Sequence, residues 1–155
     1  MKKYFASIIF GLLIGFFLSK NFLEEYNGYT RIKQVNRDGT TAYFIKYGEY
    51  DSLDLLEKKT SHLTNYIYTK TNNKYSVYIG ITTNNDNKEK LINYFKKLKY
   101  KVSCDEYVIT NKKYISYLEN ADKLIEKTSD MSVLGEVSSQ ILSKYEELVI
   151  NGSKD

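Results

Sequence analysis

The chain has no proline, no tryptophan, one cysteine and one histidine. A lone Cys104 excludes an internal disulfide framework, and a single histidine beside it excludes a Cys/His zinc site. Among the 23 basic residues only Arg31 and Arg37 are arginines. Readers of nucleic acid favour the bidentate guanidinium, so this composition argues against nucleic acid as a partner. No glycine-rich phosphate loop occurs, and no cofactor is expected. What is present is a 155-residue chain, 42% hydrophobic and 27% charged, which is globular in composition and long enough for one domain with an appendage. The net charge of +4 is mild, and 16 tyrosines are the outlier.

The N-terminus carries the clearest pattern. Met1-Lys2-Lys3 precedes an uncharged run from Tyr4 to Ser19, and Asn21-Phe22-Leu23 extends it past Lys20. A helix over 1–23 approaches the span of a bilayer core if Lys20 snorkels, so this segment reads as a membrane anchor. A cleaved signal peptide has a similar start, but bulky Phe16, Phe17 and Leu18 leave no small-x-small cleavage site. Lys2 and Lys3 favour a cytoplasmic N-terminus, which places the rest of a single-pass protein outside the cytoplasm at the cell membrane. Residues 24–41 are polar and read as a juxtamembrane linker.

From Ala42 the pattern repeats. Ala42–Gly48 is a β-prone run; Ser52 can cap a helix with Leu53, Leu56 and Leu63 on one face; Asn65–Lys70 is a second strand. Asn72-Asn73 marks a turn into Tyr75–Thr82, Asn84–Asn87 is a polar loop, and Lys88–Lys99 has helical spacing. Tyr100–Cys104 returns as a strand. The order β-α-β-β-α-β predicts an α+β split βαβ sandwich, flanked by the N-terminal transmembrane helix and a C-terminal helical hairpin. Setting Tyr43 on Tyr75 aligns Ile45 with Val77 and Gly48 with Gly80, so the halves match.

Ile45-Lys46-Tyr47-Gly48 and Val77-Tyr78-Ile79-Gly80, each followed by a polar loop and a leucine-spaced helix, resemble the sporulation-related repeat, or SPOR domain. The resemblance covers about residues 42–109. It departs from the usual pattern at Glu49, which stands where a small residue is expected after the first glycine, ahead of the aromatic Tyr50. The resemblance implies a peptidoglycan-binding module that localises to the envelope in sporulation or cell division. Strand alternation adds a surface of its own. If Ile45, Tyr47, Ile67, Val77, Ile79 and Val102 face the helices, then Phe44, Lys46, Tyr66, Tyr68, Ser76 and Tyr78 share the other face. Phe44, Tyr66, Tyr68 and Tyr78 offer flat rings to sugar C–H groups, and Lys46 a donor to sugar oxygens. The alternative is that these aromatics only stabilise the sheet, or that residues 110–155 cover it.

Asn111–Lys127 and a helix over 132–149, separated by Thr128-Ser-Asp130, carry apolar stripes that must be buried against something. They either pack on the domain as a hairpin or recruit a protein partner. His62 has no nucleophile at a useful spacing and reads as a surface residue. The Glu146-Glu147 pair diverges on a helix, so no enzyme is expected. The whole reads as a membrane-anchored, non-enzymatic protein that binds peptidoglycan, or as a subunit that uses its helical tail to bind a protein.

Overall fold

A computed structural model describes residues 39–150. The proposed anchor over 1–23, nearly all of the 24–41 linker and Asn151-Gly-Ser153 lie outside the described residues. Among the described residues, no helix is long and apolar enough to cross a membrane.

The domain is α+β, with the order β1 (Thr40–Tyr50), α1 (Leu53–Thr60), β2 (Ile67–Thr71), β3 (Lys74–Thr82), α2 (Asn85–Lys97), β4 (Ser103–Ile109), α3 (Lys112–Lys127), α4 (Met131–Tyr145) and a π-helical turn (Glu146–Ile150). The strands form one antiparallel sheet in the order β2-β3-β1-β4. This is the split βαβ arrangement, in which β3 lies between the two strands that α1 connects.

Local chemistry accounts for most boundaries. Ser52 caps α1 by accepting from the Leu55 N–H, and Asn84 caps α2 by accepting from Asp86 and Asn87. The expected polar loop at Asn84–Asn87 is therefore the cap and first turn of a helix. Asn111 and Asp130 cap α3 and α4 in the same way. Asn72 and Asn73 both take positive φ, 51° and 62°, as a two-residue hairpin turn between right-twisted strands requires. The return strand starts later than the apolar run Tyr100–Cys104 suggests. Lys99 is left-handed at φ 65°, and its N–H bonds to Lys96 O while the Tyr100 N–H bonds to Phe95 O. That αL helix stop consumes the residues before Ser103.

Two register shifts interrupt the β1–β3 ladder, between Ile45 and Lys46 and between Lys46 and Gly48. They set the faces. Ile45 lies opposite Gly80 and Cys104 on the side of α2, where Leu91 and Phe95 pack. A Cβ at Gly80 would stand 3.2 Å from the Phe95 ring, so a side chain here would push that ring back by a few tenths of an ångström, and the glycine allows the close approach of α2. Gly48 has a different reason: the Tyr50 side chain lies over it, with its hydroxyl 2.6 Å from the Cβ the glycine lacks. The two glycines that align in the repeat are thus not equivalent in packing.

The C-terminal hairpin completes the core. Leu118, Ile125, Ile141 and Leu142 are at most 1% exposed, alongside Ile81, Phe44 and Tyr78. β2 pairs only with Lys74–Tyr78, which leaves Ile79–Thr82 of β3 without a strand on that side. α4 packs against β3, and the Asn65 amide just ahead of β2 donates to Ser139 O and Ser143 Oγ, both at 2.9 Å. The same helix touches α2, where Tyr94 lies against Gly135, and edges Tyr145 onto Phe44 across the sheet.

Candidate functional site

The structure brings together three of the five residues expected to contact glycan. Phe44 lies edge-on to Tyr78 (5.6 Å between ring centres), Tyr107 (4.9 Å) and Tyr145 (5.5 Å). Its immediate polar neighbours form a chain. The Tyr78 hydroxyl donates to Asp105 Oδ2 at 2.9 Å and shares a 2.5 Å bond with the Tyr107 hydroxyl. Lys46 Nζ lies 2.8 Å from Asp105 Oδ2 and donates to Oδ1 at 3.1 Å. The Asp105 hydrogen bond is the largest influence raising the Lys46 pKa, against a lowering by burial. Burial comes first for Tyr78, followed by Tyr107 and Asp105, and together they push its hydroxyl far above the ordinary tyrosine range.

This cluster is closed. Phe44 is 2% exposed and Tyr78 is inaccessible, so the expectation of an open aromatic face is corrected: the hairpin covers it, with Tyr145 capping Phe44. The apolar stripes of α3 and α4 had to be buried, and they are buried in one core with this sheet face. Only the Lys46–Asp105 end reaches solvent, with side chains 22% and 30% exposed.

Tyr66 and Tyr68 do not join the cluster. Ile67 pairs with Tyr78 and Tyr68 with Val77, so Ile67 shares the hairpin face and Tyr68 the α1–α2 face. That is the reverse of the expected alternation, and a one-residue offset is enough to produce it. Tyr66 precedes β2 and packs, half-buried, against the core. Tyr68 lies 5.9 Å from the Tyr75 ring, and Lys70 Nζ sits 5.1 Å above Tyr75. Asp105, Tyr107 and Tyr145 completed the cluster without having been singled out. The available signal was a carboxylate, Asp105, directly after the expected return strand Tyr100–Cys104.

The remaining polar centres are engaged in the fold. Asp122 of α3 is 6% exposed, and its carboxylate accepts from Thr82 Oγ1, Thr83 N (2.9 Å), Thr83 Oγ1 (2.7 Å) and Asn87 Nδ2 (3.2 Å). It floors an open cleft of about 270 Å³ lined also by Thr83, Asn84, Glu119, Lys123 and Glu126. With its oxygens filled by these donors it offers no free base. His62, past the end of α1, bonds through Nε2 to the Tyr47 hydroxyl at 3.1 Å. The Cys104 thiol is half-buried, and burial raises its pKa above the ordinary range, so it stays protonated at neutral pH. Among the described residues, no group of His, Cys, Asp and Glu is arranged to hold a metal ion.

No family model, no curated protein and no solved structure matches this chain.

Proposed function

We infer that this is a non-enzymatic module of the cell envelope, tethered to a membrane by its N-terminal apolar segment, that acts by holding a protein partner. The observation that supports the reading is how the sheet is disposed. Both of its faces carry helices, whereas the outer side of β4 has no strand beside it among the described residues, and Val108 there is 54% exposed. A seven-residue edge can take an added strand through main-chain hydrogen bonds, with side-chain contacts selecting the partner.

Peptidoglycan is the competing partner. The two most central rings of the expected glycan platform, Phe44 and Tyr78, lie beneath the hairpin. Of the five candidates Tyr68, beside Tyr75 and Lys70, is the one whose ring lies near a solvent-facing hairpin. Two experiments with the full chain separate the readings. Sedimentation with purified peptidoglycan is expected to leave the protein in solution. A photoreactive residue in place of Val108 is expected to give one discrete protein adduct in the native host, and the same residue at Lys123 none. Retention on peptidoglycan that Tyr68→Ala abolishes would sink the protein-partner reading in favour of glycan.

A further inference from the structure

The corner where α2 turns into β4 reads Lys96-Lys97-Leu98-Lys99-Tyr100-Lys101. All four lysines are exposed, and none of their side chains forms a hydrogen bond or ion pair with a described residue. From Lys90 to Cys104 the sequence contains no carboxylate. In the middle of this charge stands Leu98, 39% exposed. The corner is also rigid. The Leu98 N–H bonds to Tyr94 O (3.3 Å), Lys99 to Lys96 O (2.9 Å) and Tyr100 to Phe95 O (3.0 Å). The Tyr100 ring stacks on Phe95 at 16° and meets Tyr47 and His62 edge-on at 5.4 and 5.7 Å. The backbone that carries the lysines and the leucine is therefore already fixed at the moment of contact, which leaves only side-chain rotamers to order.

We propose that this corner docks on an anionic lipid bilayer, with Leu98 entering the headgroup layer and Lys96, Lys97, Lys99 and Lys101 against the lipid phosphates. An apolar side chain ringed by cations gains from a bilayer interface, where both parts are satisfied; a nucleic-acid backbone would leave the leucine facing charge. Ammonium groups act as point charges suited to a diffuse anionic surface, and the guanidinium forks of a base reader are missing. The inference rests on the tether inferred above. Nineteen residues lie between Lys20 and Thr40, a reach of up to about 65 Å, which keeps the domain at high effective concentration over the membrane.

The test uses the full chain carrying Cys104→Ser and Asn93→Cys, labelled at position 93 with a polarity-sensitive dye one turn above Lys97. It is reconstituted into nanodiscs of zwitterionic lipid, with and without an anionic phospholipid, and a lipid-borne quencher is included. Co-elution with the zwitterionic discs tests the tether, and the dye tests the corner. Quenching is expected only with anionic lipid. Each lysine contributes about fivefold, so replacing all four by Gln should lower the docked-to-free ratio by nearly three orders of magnitude, about 600-fold. Leu98→Asp should lower it as well, and a dye at Val108→Cys should not respond. Identical quenching in both disc types, or an unchanged response in the fourfold variant, would overturn the proposal. A dye response to a soluble DNA duplex, with none to anionic lipid, would reassign the corner to nucleic acid. Loss of co-elution with zwitterionic discs would overturn the tether alone, because the response to anionic discs still decides the corner.

Discussion

Phe44→Ala is the substitution that best separates a structural aromatic cluster from a ligand platform. The ring is 2% exposed and has three aromatic neighbours, two on the sheet and Tyr145 on the hairpin. Truncating a buried phenylalanine costs about 3–5 kcal/mol, because the transfer energy of the ring is lost and the walls only partly collapse. Each edge-to-face pair adds about 0.5–1.5 kcal/mol beyond area, so the upper part of that range is expected where three are lost. With a urea slope of about 2 kcal/mol/M, the midpoint should fall by about 2 M. Urea titration of the full chain, followed by far-UV circular dichroism, measures it. Tyr68→Ala serves as the comparison, since it lies outside the cluster, and should cost about 1 kcal/mol or less. A loss below about 1 kcal/mol for Phe44→Ala would refute the argument that the hairpin and the sheet share one core there.

Asp122→Ala should lower stability by about 2–4 kcal/mol, since it strands the Thr83 N–H and hydroxyl among buried neighbours, whereas Thr83→Ala should cost about 1 kcal/mol by the same titration. Lys99→Gly should raise stability by about 1 kcal/mol, because φ 65° is strained for lysine and free for glycine; thermal melting checks it. Gly80→Val should destabilise by about 2–3 kcal/mol, as its side chain meets the Phe95 ring and the Ile45 and Leu91 side chains. Tyr78 and Tyr114 have folded pKa values raised above the ordinary 10, chiefly by burial, so each keeps its proton in the fold while the unfolded chain loses it. Their contribution is therefore complete below pH 10 and falls as pH rises beyond it, by about 1.4 kcal/mol per pH unit for each. Urea midpoints at several pH values above 9, with tyrosinate absorbance as a second readout, should show the decline, and Tyr78→Phe should make it shallower by that one group's share.

Local signals were enough for the elements. Ser52 before a leucine stripe, Asn72-Asn73 between β-prone runs, and Thr128-Ser-Asp130 between two amphipathic stretches each act over a few residues, so they could be read directly. The duplicated pattern was enough for the α+β, split βαβ order, which the sheet adopts. The helical hairpin was equally evident from its stripes, but a stripe states only that a face must be buried and not against what.

Tertiary structure decided the rest, because it turns on pairings distant in sequence. The face on which Tyr68 lies depends on whether Ile67 stands opposite Tyr78, and a shift of one residue reverses it. Alternation already groups Phe44, Lys46 and Tyr78, but only the irregularities in the β1–β3 ladder bring Ile81 opposite Phe44 on that same face, three residues from Tyr78. Asp122 meets Thr82 and Thr83, 40 and 39 residues earlier, only because α3 packs against the end of β3. Composition and periodicity thus determined which segments fold and which faces seek cover. Only the assembled core decided that the aromatic sheet face would be covered by the chain's own α3–α4 hairpin, since burying both apolar surfaces against each other satisfies two desolvation demands with one contact.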